Sequence, residues 1–130
     1  MIVKALKDIL DTERDVAGPG WRSRRLLLAA DGMGFSLTDT IIKKGAVLEL
    51  EYTHHLEACY CIEGKGQIRA SEDETWHSLE PFTLYALDQH DRHLVRATEA
   101  DLRVVCVFNP PLSGSETHRE DGSYTPPASG

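Results

Sequence analysis

Short runs in which apolar and polar residues alternate, interrupted about every ten residues by tight-turn chemistry, restrict this chain more than any other feature. Residues 24–28, 35–42, 47–52, 57–63, 67–71, 83–87, 93–97 and 102–108 read as extended segments. Between them, Asp31-Gly32-Met33-Gly34, Lys44-Gly45, Gly64-Lys65-Gly66, Glu72-Asp73-Glu74 and Glu99-Ala100-Asp101 favour reversals. Glycine reaches positive φ without a Cβ clash, and an Asp side chain can bond the backbone just ahead of it. Residues 2–10 fit a short strand or a helical turn, and residues 11–20 read as a polar loop. No helical period of useful length competes, so the expected fold is all-β with at most short helices. Closing so many short strands into a double-sheet jelly-roll barrel removes exposed edges and leaves a cavity where polar residues can meet a ligand.

A length of 130 residues, 41% of them apolar and 27% charged, fits one domain, expected over 1–124, with 125–130 (TPPASG) as a disordered tail. Net charge is −7, and no basic run exceeds Arg24-Arg25. Neither nucleic acid nor an anionic membrane is therefore an expected partner, and a small molecule is. No apolar run approaches the roughly 18 residues that cross a bilayer, and MIVKALKDIL lacks the apolar centre of a secretory signal, so a cytoplasmic protein is expected. Cys59, Cys61 and Cys106 are an odd set, and Cys59 and Cys61 share a strand face. They read as buried free thiols in a reducing compartment rather than as metal donors. No Ser-His-Asp or Cys-His arrangement stands out, and Cys106 within VVCVF reads as protonated and inert.

The stretch GAVLELEYTHHLEACYCIEG, residues 45–64, carries a definite spacing. It resembles the metal strand of cupins, G-x5-H-x-H-x3–4-E-x6-G, but Glu51 and Thr53 stand where the histidines should. Glu57 falls on the glutamate position and Gly64 closes the frame. A second cupin pattern lands on Phe82, Asp88, His90 and His93, and of its usual residues His93 survives. One carboxylate and one imidazole hold a divalent metal poorly, so a third donor is required, and Tyr85 is the candidate. Strand alternation puts Thr53, His55, Glu57, Cys59 and Cys61 on one face if the strand is continuous, with His54 on the other. Glu57, flanked by Leu56 and Ala58, would be costly to bury without a cation. His93 offers the commonest transition-metal donor. Tyr85 fits either a packed core residue or a hard oxygen donor suited to iron. Trp21 and Arg25, four residues apart, fit a carboxylate clamp beside an aromatic wall, or simply a packed tryptophan and a surface arginine. Gly64-Lys65-Gly66 is too short for a phosphate loop and reads as a hairpin turn, while Trp76 reads as packing.

Longer motifs sharpen this reading: TERDV (12–16), GPGW (18–21), SRRLLL (23–28), DGMGFS (31–36), HHLEACYCIEGKG (54–66), LYALDQHDRH (84–93) and VCVFNPPLSGSETH (105–118). Together they resemble the ectoine synthase family, from the N-terminus to about Tyr124. The resemblance implies a cupin barrel that binds Fe(2+). Its reaction would cyclise N-gamma-acetyl-L-2,4-diaminobutyrate to ectoine with loss of water, a hydro-lyase reaction of compatible-solute biosynthesis under osmotic stress. It implies Glu57, Tyr85 and His93 as iron ligands. Trp21, Arg25, Thr40, Tyr52, His55, Phe108, Glu116 and His118 would line the substrate site, with Cys106 close by. Tyr85, His55, Glu116 and His118 become the candidates for proton exchange, and a homodimer is implied; residues 113–124 are expected to form a C-terminal lid region. Thr38 and Phe82 depart from the family pattern, Phe82 replacing a glycine in the turn before Thr83. The alternatives are a metal-dependent cupin dioxygenase or isomerase, marked by oxygen uptake in the first case, and a metal-free sensor domain.

Overall fold

Where apolar and polar residues alternate, the chain is extended and buries every second side chain, as the pleat of a strand requires. The computed structural model describes residues 1–114. Glu116, His118, most of the expected lid and the expected tail lie outside the described residues. Eight strands follow in order: β1 (Asp15–Gly18), β2 (Trp21–Leu27), β3 (Ser36–Ile42), β4 (Val47–Leu50), β5 (Leu56–Ala70), β6 (His77–Leu79), β7 (Leu84–Leu87) and β8 (His93–Asn109). Short 3-10 turns at Leu6–Asp8 and Ala29–Asp31 are the helical elements among the described residues. The fold is all-β, as expected. No helix among them is long and apolar enough to cross a membrane.

Every strand pairing is antiparallel, and the long strands β5 and β8 organise the rest. The C-terminal half of β8 pairs with β3 and the N-terminal half of β5, which carries β7 on its other side. The N-terminal half of β8 pairs with β4, and the C-terminal half of β5 with β6. Two sheets thus share two continuous strands that bend from one into the other, the construction of a jelly roll. Leu79, Val95 and Leu102 are fully buried between them, and each such side chain contributes roughly 1.5–3 kcal/mol.

Three expectations need correction. The loop expected over 11–20 contains β1, which folds back on β2 with Gly18 opposite Trp21. Pro19-Gly20 makes the reversal, with Gly20 at φ 80°. Asp15 pairs with Arg22 across this hairpin, so cross-strand charge gives a polar segment a reason to be strand. Gly64-Lys65-Gly66 is not a hairpin turn but a bulged bend inside β5, marked by register shifts between Cys61 and Gly66. Gly64 sits at φ 91°, and a Cβ there would lie 2.0 Å from the Asp101 carbonyl oxygen. Glu99-Ala100-Asp101, expected to reverse the chain, lies within β8, where Ala100 faces Lys65. Turn chemistry is spent on bending two paired strands together instead of reversing either.

Outside the apolar core, Asp39 on β3 joins β2 to β8. Its carboxylate accepts hydrogen bonds from Arg24 at 2.5 Å and Arg103 at 2.7 Å. Burial raises the pKa of this carboxyl, but the hydrogen bonds from Arg103 and Arg24 outweigh it and hold the group below its ordinary range.

Candidate active site

Strand register gathers side chains that lie far apart in sequence. Arg25 stands opposite Thr38, Thr38 opposite Cys106, Cys106 opposite Cys59, and Cys59 opposite Tyr85. This row crosses β2, β3, β8, β5 and β7. Two residues along the same face, Ser36 stands opposite Phe108 and Phe108 opposite Glu57, while Thr40 and Val104 pair on the other side of the row. Side-chain period two then points the whole set to one side of the sheet.

Glu57 is 7% exposed, and its burial pushes the carboxyl up to about 7, partly offset by hydrogen bonds from Cys59 and Cys106. Tyr85 is partly buried. Desolvation and the neighbouring Cys59, Glu57 and Cys106 hold its phenol well above the usual value. His93, at the start of β8, is 1% exposed. Its Nδ1–H donates to the Asp91 carbonyl at 2.9 Å, which leaves the lone pair on Nε2. Nε2 is buried and has no hydrogen-bond partner among the described residues. Burial also lowers the imidazole's pKa, keeping it neutral. A buried carboxylate with no ion pair to a cationic side chain among the described residues, a fixed neutral imidazole and a phenol fit a hard-to-borderline divalent metal.

These three groups are contiguous through Tyr85, whose ring centre lies 6.5 Å from that of His93. Glu57 and Tyr85 line an interior cavity of about 30 Å³ together with Trp21, Thr40, Tyr52, Cys106 and Phe108. That space holds a water or an ion but not an amino acid. His93 and the other side of Tyr85 face a larger cleft of about 710 Å³ that also reaches Trp76, Leu79 and Asp91. Tyr85 lines both spaces.

Of the remaining expected residues, Arg25 is fully buried, and its guanidinium donates to the Gly114 carbonyl at 2.8 Å and the Ser23 hydroxyl at 3.3 Å. The surface-arginine alternative is excluded. His55 is buried with its ring edge-on to Phe108 at 5.8 Å. Thr53 does not join that face: β5 begins at Leu56, and Thr53 sits exposed in the preceding turn. His90 was passed over in the sequence. Its Nδ1–H donates to the carbonyls of Tyr52 at 2.8 Å and His55 at 3.0 Å, clamping the turn that presents both side chains. Also unforeseen was a donor cluster of Glu57, Cys59 and Cys106, with ligand atoms within 4.8 Å of one another. Trp76 is more than packing, since Arg69 and Arg96 lie over its ring at 5.1 and 3.7 Å.

A two-sheet barrel with its polar residues gathered on an inner face is the architecture of the cupins. It matches KdgF from Halomonas sp. with TM-score 0.62 at 19% identity, over 73% of this chain and 84% of that one, a likeness of fold alone. Residues 1–128 match the family described as ectoine synthase. The L-ectoine synthase of Desulfatibacillum aliphaticivorans is 57% identical over 126 residues, 95% of this chain and 96% of the relative. That of Halalkalibacterium halodurans is 52% identical over 124 residues, 95% of each. The crystal structure of ectoine synthase from P. lautus superposes with TM-score 0.87 at 52% identity, covering 94% of this chain and 87% of that one. The chain belongs to the ectoine synthase family, a family of hydro-lyases within the cupins.

Proposed function

We propose that this protein cyclises N-gamma-acetyl-L-2,4-diaminobutyrate to ectoine with loss of water, using Fe(2+) held by Glu57, Tyr85 and His93. The observation that carries the reading is the buried face where Glu57 and Tyr85 share one cavity with Trp21, Thr40, Tyr52, Cys106 and Phe108. When bound, Fe(2+) supplies Lewis acidity toward the acetamide carbonyl oxygen.

The chain's own residues do the rest. The substrate's α-amine must attack its own acetamide carbon, so the molecule must be folded, and holding its carboxylate restricts it to that conformer. Arg25 takes this part, its buried guanidinium already oriented by Gly114 and Ser23. Trp21, Tyr52 and Phe108 exclude bulk water from a step that expels water. The attacking amine must be neutral and the departing oxygen must gain a proton. His55, Glu116, His118 and Tyr85 are the groups proposed to exchange those protons. His55 is held against Phe108 for the purpose.

The protein is proposed to act in the cytoplasm as a homodimer, with 1–124 as one domain. The deciding experiment is incubation of purified protein with the acetylated diaminobutyrate and ferrous salt, followed by NMR. Appearance of the cyclic amidine supports the reading. Unchanged substrate would overturn it, and oxygen uptake instead would favour an oxygenase.

A further inference from the structure

The cyclisation proposed above does not call on Cys59, yet it sits at the centre of the inner face. It is the direct cross-strand partner of Cys106, and the two sulfur atoms are 3.3 Å apart. Both thiols are free, 1% and 3% exposed, and the Glu57 carboxylate completes a set whose donor atoms lie within 4.8 Å of one another. We propose that Cys59, Cys106 and Glu57 form a binding site for a soft divalent cation of the zinc and cadmium class. That the cation then competes with ferrous iron for Glu57 rests on the function proposed above; the site itself does not.

Three physical arguments support this. Thiolate sulfur selects soft cations, whereas the set assigned to iron offers oxygen and nitrogen. Bonds of about 2.3 Å to sulfur and about 2.0 Å to oxygen place donors around a tetrahedral ion roughly 3.5 Å apart; the two sulfurs already stand 3.3 Å apart, and the whole set lies within 4.8 Å. The donors also stand in the middle of paired strands, so little ordering is needed on binding. Tyr85 stands opposite Cys59 in the register and hydrogen-bonds its sulfur. On binding, the two thiol protons pass to solvent and the cation takes their place. Cys61, two residues along the same strand face, is not a member, because its thiol donates to the Glu63 carbonyl at 3.5 Å.

The test uses the full chain, stripped of metal and kept reduced with a phosphine, titrated with cadmium ion alone. The expected result is one cadmium per chain with the ultraviolet charge-transfer band of a two-thiolate complex. Cys59→Val abolishes the band and weakens binding on the order of 100-fold, and Cys61→Ala leaves both unchanged. Cys59→Ser, nearly equal in volume to the native residue, gives the same loss should the valine variant not fold. Zinc added to iron-loaded wild type lowers cyclisation, and Cys59→Val resists it. Cadmium bound without a thiolate band, or bound equally well by Cys59→Val and Cys59→Ser, would overturn the proposal. Because the band is read without iron or substrate, its absence leaves the cyclisation reading standing, and failure of cyclisation leaves the band unaffected.

Discussion

A carboxyl pushed up to about 7 and a neutral imidazole with a fixed Nε2 lone pair are both improved by the same event, arrival of a cation. Glu57→Ala or His93→Ala should therefore lower bound iron and cyclisation together, each weakening metal affinity on the order of 100-fold. Trp21→Ala should lower cyclisation while iron is retained, as elemental analysis beside turnover would reveal. Iron retained in full by His93→Ala would remove that residue from the ligand set. Phe82 poses a separate problem, since it holds φ 77° and is 77% exposed. A side chain there costs about 1 kcal/mol or more, so Phe82→Gly should raise the urea midpoint by a matching amount. Cupin-like spacing pointed to Glu57 and His93 in the sequence, whereas spacing left Tyr85 open between core residue and donor and its place as a ligand came only with the resemblance to the ectoine synthase family. The pairing of Cys59 with Cys106 was not readable there, because the two are 47 residues apart and which residues face each other is set by the bulges of β5. His90 was equally hidden, as its carbonyl partners come close only when the loop before β8 folds over the turn before β5.

The bend in β5 is the element that makes one barrel of two sheets, and it depends on glycine. At Gly64 an added methyl would meet the Asp101 carbonyl at 2.0 Å with φ at 91°, so Gly64→Ala should cost on the order of 3 kcal/mol, visible in chemical denaturation. The Asp39 clamp predicts behaviour in acid. Its folded pKa lies below the unfolded value, so the native state holds this proton less tightly. The stabilisation is complete above about pH 4, the unfolded carboxyl range, and is lost as pH falls through the folded value. Asp39→Asn should flatten the loss of stability as pH falls below about 4 in urea titrations; an unchanged acid limb would assign that loss to other carboxyls. At this scale the sequence located strands well and their continuity badly. Glycine signals a positive φ, and whether the chain then reverses or bends is decided by a partner strand that local sequence does not contain.

Seen as a whole, the molecule carries Tyr60, Phe82 and Leu84 exposed at 41%, 77% and 61% on the outer side of β5 and β7, with Tyr60 opposite Leu84 in the register. Strand β7 pairs only with β5 among the described residues, leaving an edge beside this apolar surface. The proposed homodimer has its best seat there, and Leu84→Lys should shift the sedimentation coefficient toward that of a monomer. A wild-type chain that sediments as a monomer would exclude the dimer altogether. The continuity of β5 and β8 also limits how anything gets in. Since the same two backbones run through both layers, the layers have no seam along which to swing apart, and traffic of solute and product must run lengthwise, through a rim that loops alone can widen or close.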